Sequence, residues 1–324
     1  MKQTISGELV EKAVKKFPIN SSWSVARYLK QEYPLVFKDV VNANTLVRQY
    51  RGLAGHGDKK QKDRKEAYEA QLPKPIKMKY EPYILPKVNN NCLILSDLHI
   101  PFHDKEAVKL ALEYGKQKGI NTIIFLGDVV DMYELSFFQK EPHMATFEQE
   151  REQFWLLIEY IYTILPGIKI FYYEGNHEMR FQHYMLNHAP EIFGVSEFSI
   201  RYLFNLDELG ITWIGDKQTI KAGKLNLLHG HEYLYNSVSV NPAKWLFLRA
   251  KDNAMMGHRH QVNSHSGNVI NGHVITCWSI GCLCNVHPKY MPLNEWQQGF
   301  GYLEILDDKN FVFHNKTIIG DRIY

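Results

Sequence analysis

Four cysteines in 324 residues, at positions 92, 277, 282 and 284, are too few and too unevenly placed for the disulfide framework of a secreted protein. Reduced thiols buried in strands are the expected state, because Cys277, Cys282 and Cys284 lack a fourth soft ligand at the spacing a zinc site needs. No apolar run approaches the roughly 18 residues of a membrane span. The start, Met1-Lys2-Gln3-Thr4-Ile5-Ser6-Gly7-Glu8, has no hydrophobic stretch of the kind a secretory signal carries. The expectation is a cytoplasmic protein without membrane contact. Glycine (21) and proline (13) stand at ordinary levels, which excludes collagen-like, low-complexity and wholly disordered chains. No internal repeat is present.

Net charge of one sign also looks scarce, at +3 for the whole chain. That total hides an asymmetry: residues 1–90 carry 18 Lys and Arg against 9 Asp and Glu, a net of +9, and residues 91–324 carry a net of −6. Two parts with different electrostatic roles are implied.

Within residues 1–54 the pattern is helical. Leu9, Ala13 and Phe17 recur every four positions up to Pro18, and a second helix runs from a cap at Ser22 or Ser24 through Val25, Ala26 and Leu29. A third begins near Asn42 to Thr45, carries Leu46, Val47 and Tyr50 with Arg48 and Arg51 nearby, and stops at Gly52. Three short helices with a basic last one fit a helix-turn-helix module that contacts nucleic acid. A small helical unit that packs on another protein fits the same pattern. Residues 55–90 combine Lys59, Lys60, Lys62, Arg64 and Lys65 with prolines at 73, 75, 82 and 86, and read as a basic linker.

From residue 91 to 324 the texture is that of an α/β layered domain. Buried strands are predicted at 92–95, 122–126, 168–173, 224–228, 254–256, 274–279 and 300–305. A helix is predicted over 104–118, and a long one to about Leu165 opens on a Thr146/Gln149 capping box. Five segments rich in metal-binding atoms each follow a predicted strand: Asp97-Leu98-His99, Gly127-Asp128-Val129-Val130-Asp131, Gly175-Asn176-His177-Glu178, His229-Gly230-His231 and Gly257-His258-Arg259-His260. Loops at strand C-termini gather at one sheet edge, so these segments should converge. The mixed oxygen and nitrogen donors suit Mn, Fe, Zn or Ni better than Ca or an all-sulfur site.

This ordered set resembles the calcineurin-like metallophosphoesterase superfamily, of the type encoded by phages and mobile elements with an N-terminal helical module. The resemblance implies a four-layer α/β/β/α sandwich holding two divalent metal ions, manganese first among them, behind a small all-α helix-turn-helix-like domain. It implies one metal held by Asp97, His99, Asp128 and His260, and a second by Asp128, Asn176, His229 and His258. Two cations roughly 3.5–4 Å apart lower the pKa of a shared water and polarise a phosphoryl oxygen. His177 is then the expected acid for the leaving oxygen, with Asp131 orienting its ring. His103, Arg180 and His231 are the candidate substrate contacts. A surface turn, pairing with a carboxylate and an outward-facing position are their respective alternatives. Tyr133, Trp278 and Trp296 read as core or as cleft walls, with core the first choice. Protein Ser/Thr phosphatases of the superfamily follow the second motif with Arg-Gly, whereas Met132-Tyr133 stands here, which argues against that branch. The expected activity is hydrolysis of nucleic-acid phosphodiesters, with the basic module supplying strand affinity. A phosphomonoesterase or nucleotide pyrophosphatase is the alternative. A regulator with a vestigial site is disfavoured by the complete donor set.

Overall fold

The computed structural model describes residues 4–54, 75–76, 80–139, 141, 144–215, 217–233 and 240–324. The chain divides into two compact units, Met1–Lys79 and Tyr80–Tyr324. The basic run at 59–65 lies outside the described residues.

The smaller unit contains α1 (Ile5–Lys16), α2 (Ser22–Glu32) and α3 (Val40–Tyr50). Each opens on a side-chain oxygen that accepts a first-turn N–H: Thr4 from Gly7, Ser21 from Ser24, and Asp39 from Asn42. The second cap is therefore Ser21 rather than Ser22 or Ser24. Likewise Asp39, the better acceptor, starts α3 ahead of the Asn42–Thr45 start expected from sequence. Val10, Ala13, Val25, Ala26, Leu29, Ala43 and Val47 form the core, closed by Phe37 from the α2–α3 turn. Apolar residues three and four apart thus face inward, and Asn42, Thr45, Arg48 and Gln49 of α3 face solvent.

In the larger unit β2 (Asn91–Leu95), β3 (Thr122–Leu126), β4 (Lys169–Tyr173) and β5 (Thr212–Ile214) run parallel. Antiparallel strands β11 (Gly299–Ile305), β12 (Phe311–Ile319) and β13 (Arg322–Ile323) extend that sheet from β2. A second sheet has the order β1 (Tyr83–Ile84), β6 (Ile220–Ala222), β7 (Leu225–Leu228), β8 (Ala254–Met256), β10 (Val274–Ser279), β9 (Asn263–Asn268). Residues 80–90, placed in the linker by composition, belong to this unit: β1 pairs with β6, and Tyr80 Oη donates to Thr219 Oγ1 at 2.9 Å.

Strand alternation builds the layers. Cys92, Ile94, Ile124, Leu126, Phe171 and Tyr173 point from the first sheet to Leu225, Leu227 and Met255 of the second. Their neighbours Leu93, Leu95, Ile123, Phe125, Ile170 and Tyr172 point the other way, onto α4 (Lys105–Gln117) and α5 (Phe147–Ile164). Leu228, Ala254 and Met256 turn to α8 (Pro242–Ala250), whose Trp245 and Leu246 cover the second sheet. The remaining α-helices among the described residues are α6 (Met179–His188) and α7 (Ile200–Leu203). The result is the four-layer α/β/β/α sandwich that the resemblance implies. Thr146 and Gln149 do form the capping box at the start of α5. Among the described residues, no helix is long and apolar enough to cross a membrane.

Candidate active site

The five donor segments follow β2, β3, β4, β7 and β8, and their side chains meet. Asp97, His99, Asp128, His258 and His260 leave their strands in left-handed backbone, with φ of 55°, 50°, 52°, 64° and 53°. Such angles are uncommon for residues with a Cβ and persist only where the surroundings hold them. Three acidic side chains brace the loops that carry or adjoin these donors, and Glu178 does so for Asp128 itself. Glu178 accepts from the backbone N–H groups of Asp128, Val129 and Gly175 at 3.0, 2.8 and 2.9 Å and from Tyr172 Oη at 2.7 Å. Glu150 accepts from Met132 and Tyr133 N–H, each at 2.7 Å. Glu232 accepts from His229 N–H at 2.9 Å, Gly230 N–H at 2.6 Å and Tyr173 Oη. Gly175 is required for another reason: a Cβ there would overlap Asp128 Oδ1 and its backbone nitrogen.

The imidazoles are oriented from outside. His229 Nδ1 donates to Leu126 O at 2.7 Å, and His99 Nδ1 lies 3.0 Å from Asp131 Oδ1. His260 Nδ1 faces Cys284 Sγ at 4.0 Å. Each ring therefore presents Nε2 inward, the pattern that fixes metal-binding histidines. His260 Nε2 lies 3.1 Å from Asp97 Oδ1 and 3.2 Å from His99 Nε2, and His99 Nε2 lies 3.9 Å from Asp128 Oδ2. His229 Nε2 lies 3.2 Å from both Asp128 Oδ2 and Asn176 Oδ1, with the His258 ring 5.0 Å from its own. Asp97, His99, Asp128 and His260 thus form one group and Asp128, Asn176, His229 and His258 another, with Asp128 common to both.

Electrostatics match a cation site. Burial lowers the pKa of His229 and of His260, but Asp128, Asp97 and Glu232 together outweigh it for the first, and Asp97 with Cys282 for the second, and both rise to about 10. Burial raises the Asp97 and Asp128 carboxyls, yet His260 beside one and His229 beside the other hold them well below the usual range. His258 is pushed down to about 3 by burial and by His229, which leaves a neutral lone pair. His231, its ring 5.4 Å from His229, drops to about 4 through burial, and neither of its buried nitrogens has a hydrogen-bond partner. A donor set of anionic oxygens, imidazoles and unpartnered nitrogens fits borderline divalent ions.

Asp131 does more than orient one ring. Its Oδ1 lies 3.1 Å from His177 Nδ1 as well as 3.0 Å from His99 Nδ1, and its carbonyl accepts from His177 Nδ1 at 2.9 Å. Burial raises its carboxyl, but hydrogen bonds from His177 and His99 hold it well below the usual range. Arg180 meets His177 Nε2 through Nη2 at 3.0 Å and donates to the Asp131 carbonyl at 2.8 Å. Since a guanidinium only donates, this His177 ring carries its proton on Nδ1.

His103 sits on a nearby turn, bridging Cys284 through the backbone, with a buried and unpartnered Nδ1. Tyr133 Oη accepts from Glu141 N–H at 2.8 Å, and Trp278 packs on Phe311 and Phe313. Trp296 takes the cleft-wall alternative rather than the core: its ring lies 4.2 Å from that of His260 at the rim of a cleft. All four cysteines are free and buried, and among the described residues no cluster of potential ligands holds more than one of them.

Glu150 yields a pH prediction. Burial pushes its carboxyl up to about 8, above the unfolded value, so native protein retains a proton that unfolded chain releases. The associated stability is complete below about pH 4.5 and is lost as pH rises toward about 8, on the order of a few kcal/mol. Urea denaturation across that interval should show this loss for wild type and its absence for Glu150→Gln. Identical pH profiles would contradict the assignment.

A family model described as calcineurin-like phosphoesterase matches residues 91–281, more than half of the chain. The Gene 54 protein of Mycobacterium phage D29 is 23% identical over 235 residues, covering 67% of this chain and 90% of the phage protein. Its counterpart in Mycobacterium phage L5 is 24% identical over 251 residues, covering 72% and 96%. Among solved structures, Yfce, a phosphoesterase from E. coli, aligns with a TM-score of 0.33 at 16% identity over 69% of this chain and 98% of that one.

Proposed function

Because the chain belongs to the calcineurin-like phosphoesterase family, and so is a metal-dependent phosphoester hydrolase, we propose that its substrate is nucleic acid and that it acts as a phosphodiesterase or nuclease. The observation that carries this reading is the smaller unit. Residues 1–90 hold a net of +9, and α3 exposes Asn42, Thr45, Arg48 and Gln49 on one face. These side-chain types contact phosphates and base edges, and the packing of α2 against α3 around Val25, Leu29, Ala43 and Val47 supports a helix-turn-helix reading, although seven residues connect the two helices.

In the larger unit, Asp97, His99, Asp128 and His260 would hold one divalent ion and Asp128, Asn176, His229 and His258 the other, with Mn²⁺ our first choice. When bound, such a pair supplies an activated water and polarises the phosphoryl oxygens. The remaining groups belong to the chain. Arg180, close to one turn along α6 from His177, is within reach of a phosphate once it swings off the ring. That motion frees His177 Nε2 to carry a proton to the leaving oxygen, while Asp131 keeps Nδ1 in place. Both ring nitrogens of His231 are buried, so of these two histidines only His103 is left as a candidate substrate contact.

The test compares full-length protein with residues 80–324, each with Mn²⁺, on single- and double-stranded DNA, a simple phosphodiester and a simple phosphomonoester. The cut falls at Tyr80 because β1 and Tyr80 belong to the larger unit. Removing the smaller unit should lower DNA hydrolysis relative to the small diester by about tenfold at ~0.1 M salt. It should also reduce the log–log salt slope by about 0.9 for each duplex phosphate that the smaller unit neutralises. Preference for the monoester, or DNA hydrolysis indifferent to truncation, would overturn the reading.

A further inference from the structure

Sulfur rather than oxygen stands behind His260. His229 Nδ1 donates to Leu126 O and His99 Nδ1 faces Asp131 Oδ1, but His260 Nδ1 faces Cys284 Sγ at 4.0 Å, and no oxygen of the described residues hydrogen-bonds it. We propose that Cys284, backed by Cys282, is a positioning residue: its sulfur accepts from His260 Nδ1–H and so sets the affinity of the metal position that His260 serves, while the other position is indifferent to it.

The two thiols are held where this role requires. Residues 282–285 are tied on both sides: Cys282 N–H donates to Gln297 O at 3.0 Å, Leu283 N–H to Asp97 O at 3.1 Å and Asn285 N–H to Phe102 O at 2.9 Å. Gln297 N–H donates in turn to His260 O at 2.7 Å, so the segment bearing the sulfurs and the loop bearing the ring are fastened together. Cys282 and Cys284 make bridge pairings to Gln298 and His103, and in extended chain alternate side chains share a side. Leu283 accordingly enters the core, and the two sulfurs turn together toward His260. At 0% and 3% exposure, neither cysteine is open to substrate, so any effect on the site passes through the ring.

A ring that binds a cation through Nε2 keeps its proton on Nδ1, and a buried N–H without an acceptor is costly. Cys284 must therefore accept, with its own proton directed elsewhere. Burial raises the Cys282 thiol, but a hydrogen bond with Cys284 and the charge on His260 bring it down to about 5, and the same hydrogen bond drives the Cys284 thiol well up. This is the pattern of Cys284 S–H donating to the Cys282 sulfur, which leaves the Cys284 lone pairs for Nδ1–H. Removing Cys284 would strand that N–H, whereas His229, at the other position, keeps its bond to Leu126 O.

The inference rests on the two-ion reading and is independent of the substrate. Metal-free full-length protein would be titrated with Mn²⁺ by calorimetry and followed by electron paramagnetic resonance. Wild type should bind two equivalents. Cys284→Ala should bind one with wild-type affinity and the other about tenfold more weakly, the low end of what losing an outer partner costs a metal-binding histidine. At an Mn²⁺ concentration that just fills both wild-type positions, its spectrum should show the signal of an isolated ion in place of the coupled pair. Cys282→Ala should weaken the same equivalent by less, because Cys284 Sγ remains. Cys277→Ala, which removes a buried thiol packed against α8, should change neither. Unaltered binding of both ions by Cys284→Ala would overturn the proposal. So would equal weakening of both, since the sulfur would then serve only to pack the loop. A wild-type protein that takes up a single ion would overturn the two-ion arrangement itself, and this inference with it.

Discussion

Replacing His177 with alanine should lower kcat by about 10²–10⁴-fold, the span typical of losing a positioned acid, while the protein keeps both metals by elemental analysis. The expectation follows from where the ring is tied. His177 is anchored through Nδ1 to the Asp131 carboxylate and carbonyl and through Nε2 to Arg180, and its Nε2 is 3.8 Å from Asp128 Oδ2. Asp128 is better approached by His229, whose Nε2 is 3.2 Å away. Removing the His177 side chain therefore deletes the proton carrier and leaves the closer donors in place. Its backbone N–H, which donates to Asp128 Oδ1 at 2.9 Å, survives the substitution. Asp131→Asn supplies the contrast. Because the same oxygen serves His177 and His99, that variant should lose kcat and metal affinity together. Loss of both metals from His177→Ala would remove His177 from the acid role.

The donor segments were legible because each combines a buried strand with an abrupt polar turn, a pattern that period and composition reveal. Their supports were not. Glu150 lies in a run of polar helix residues and reads as a solvated charge, yet it is buried against Met132 and Tyr133 N–H. Glu178 stands inside the Gly-Asn-His-Glu motif, but only the fold shows it bracing the loop that carries Asp128. Glu232 follows His231 in a stretch whose pattern says nothing of Tyr173, 59 residues away. Strand β9, Asn-Ser-His-Ser-Gly-Asn, contains no strong strand former and exists because β10 offers it an antiparallel edge. Whether Trp296 is core or cleft wall was open in the sequence for a related reason. An indole among Leu293, Asn294 and Glu295 resembles a core anchor in sequence, and only its approach to His260 shows that it belongs to the site. What escapes the sequence is long-range contact, which local pattern does not encode.

The same logic singles out Asp128 as the residue whose replacement should spread furthest. Its Oδ2 lies 3.2 Å from His229, 3.8 Å from His177 and 3.9 Å from His99, and it belongs to two converging groups, one with His99 and His177 and one with His229 and His258. Asp128→Asn keeps the shape but removes the shared charge, so neither group of donors retains the anion at its centre. Wild-type protein at a free Mn²⁺ concentration about 100-fold above its dissociation constant should gain ~2.7 kcal/mol from binding, or roughly 5–11 °C in Tm for a unit of this size. The variant should show no such gain. Turnover should fall by about 10³-fold or more, since the several kcal/mol that cations contribute to the transition state are worth a factor of ten for every ~1.4 kcal/mol. Raising the pH should not rescue it. Metal binding to wild type strengthens with pH because the protons on His229 and His260, whose pKa values stand at about 10, must leave before a cation enters. In Asp128→Asn the His229 proton is held less tightly, so competition from protons weakens while the ligand charge is gone. A variant that still binds one equivalent of Mn²⁺ with an intact Tm shift would show that Asp128 is not shared, and the two-group arrangement would have to be redrawn around Asp97 alone.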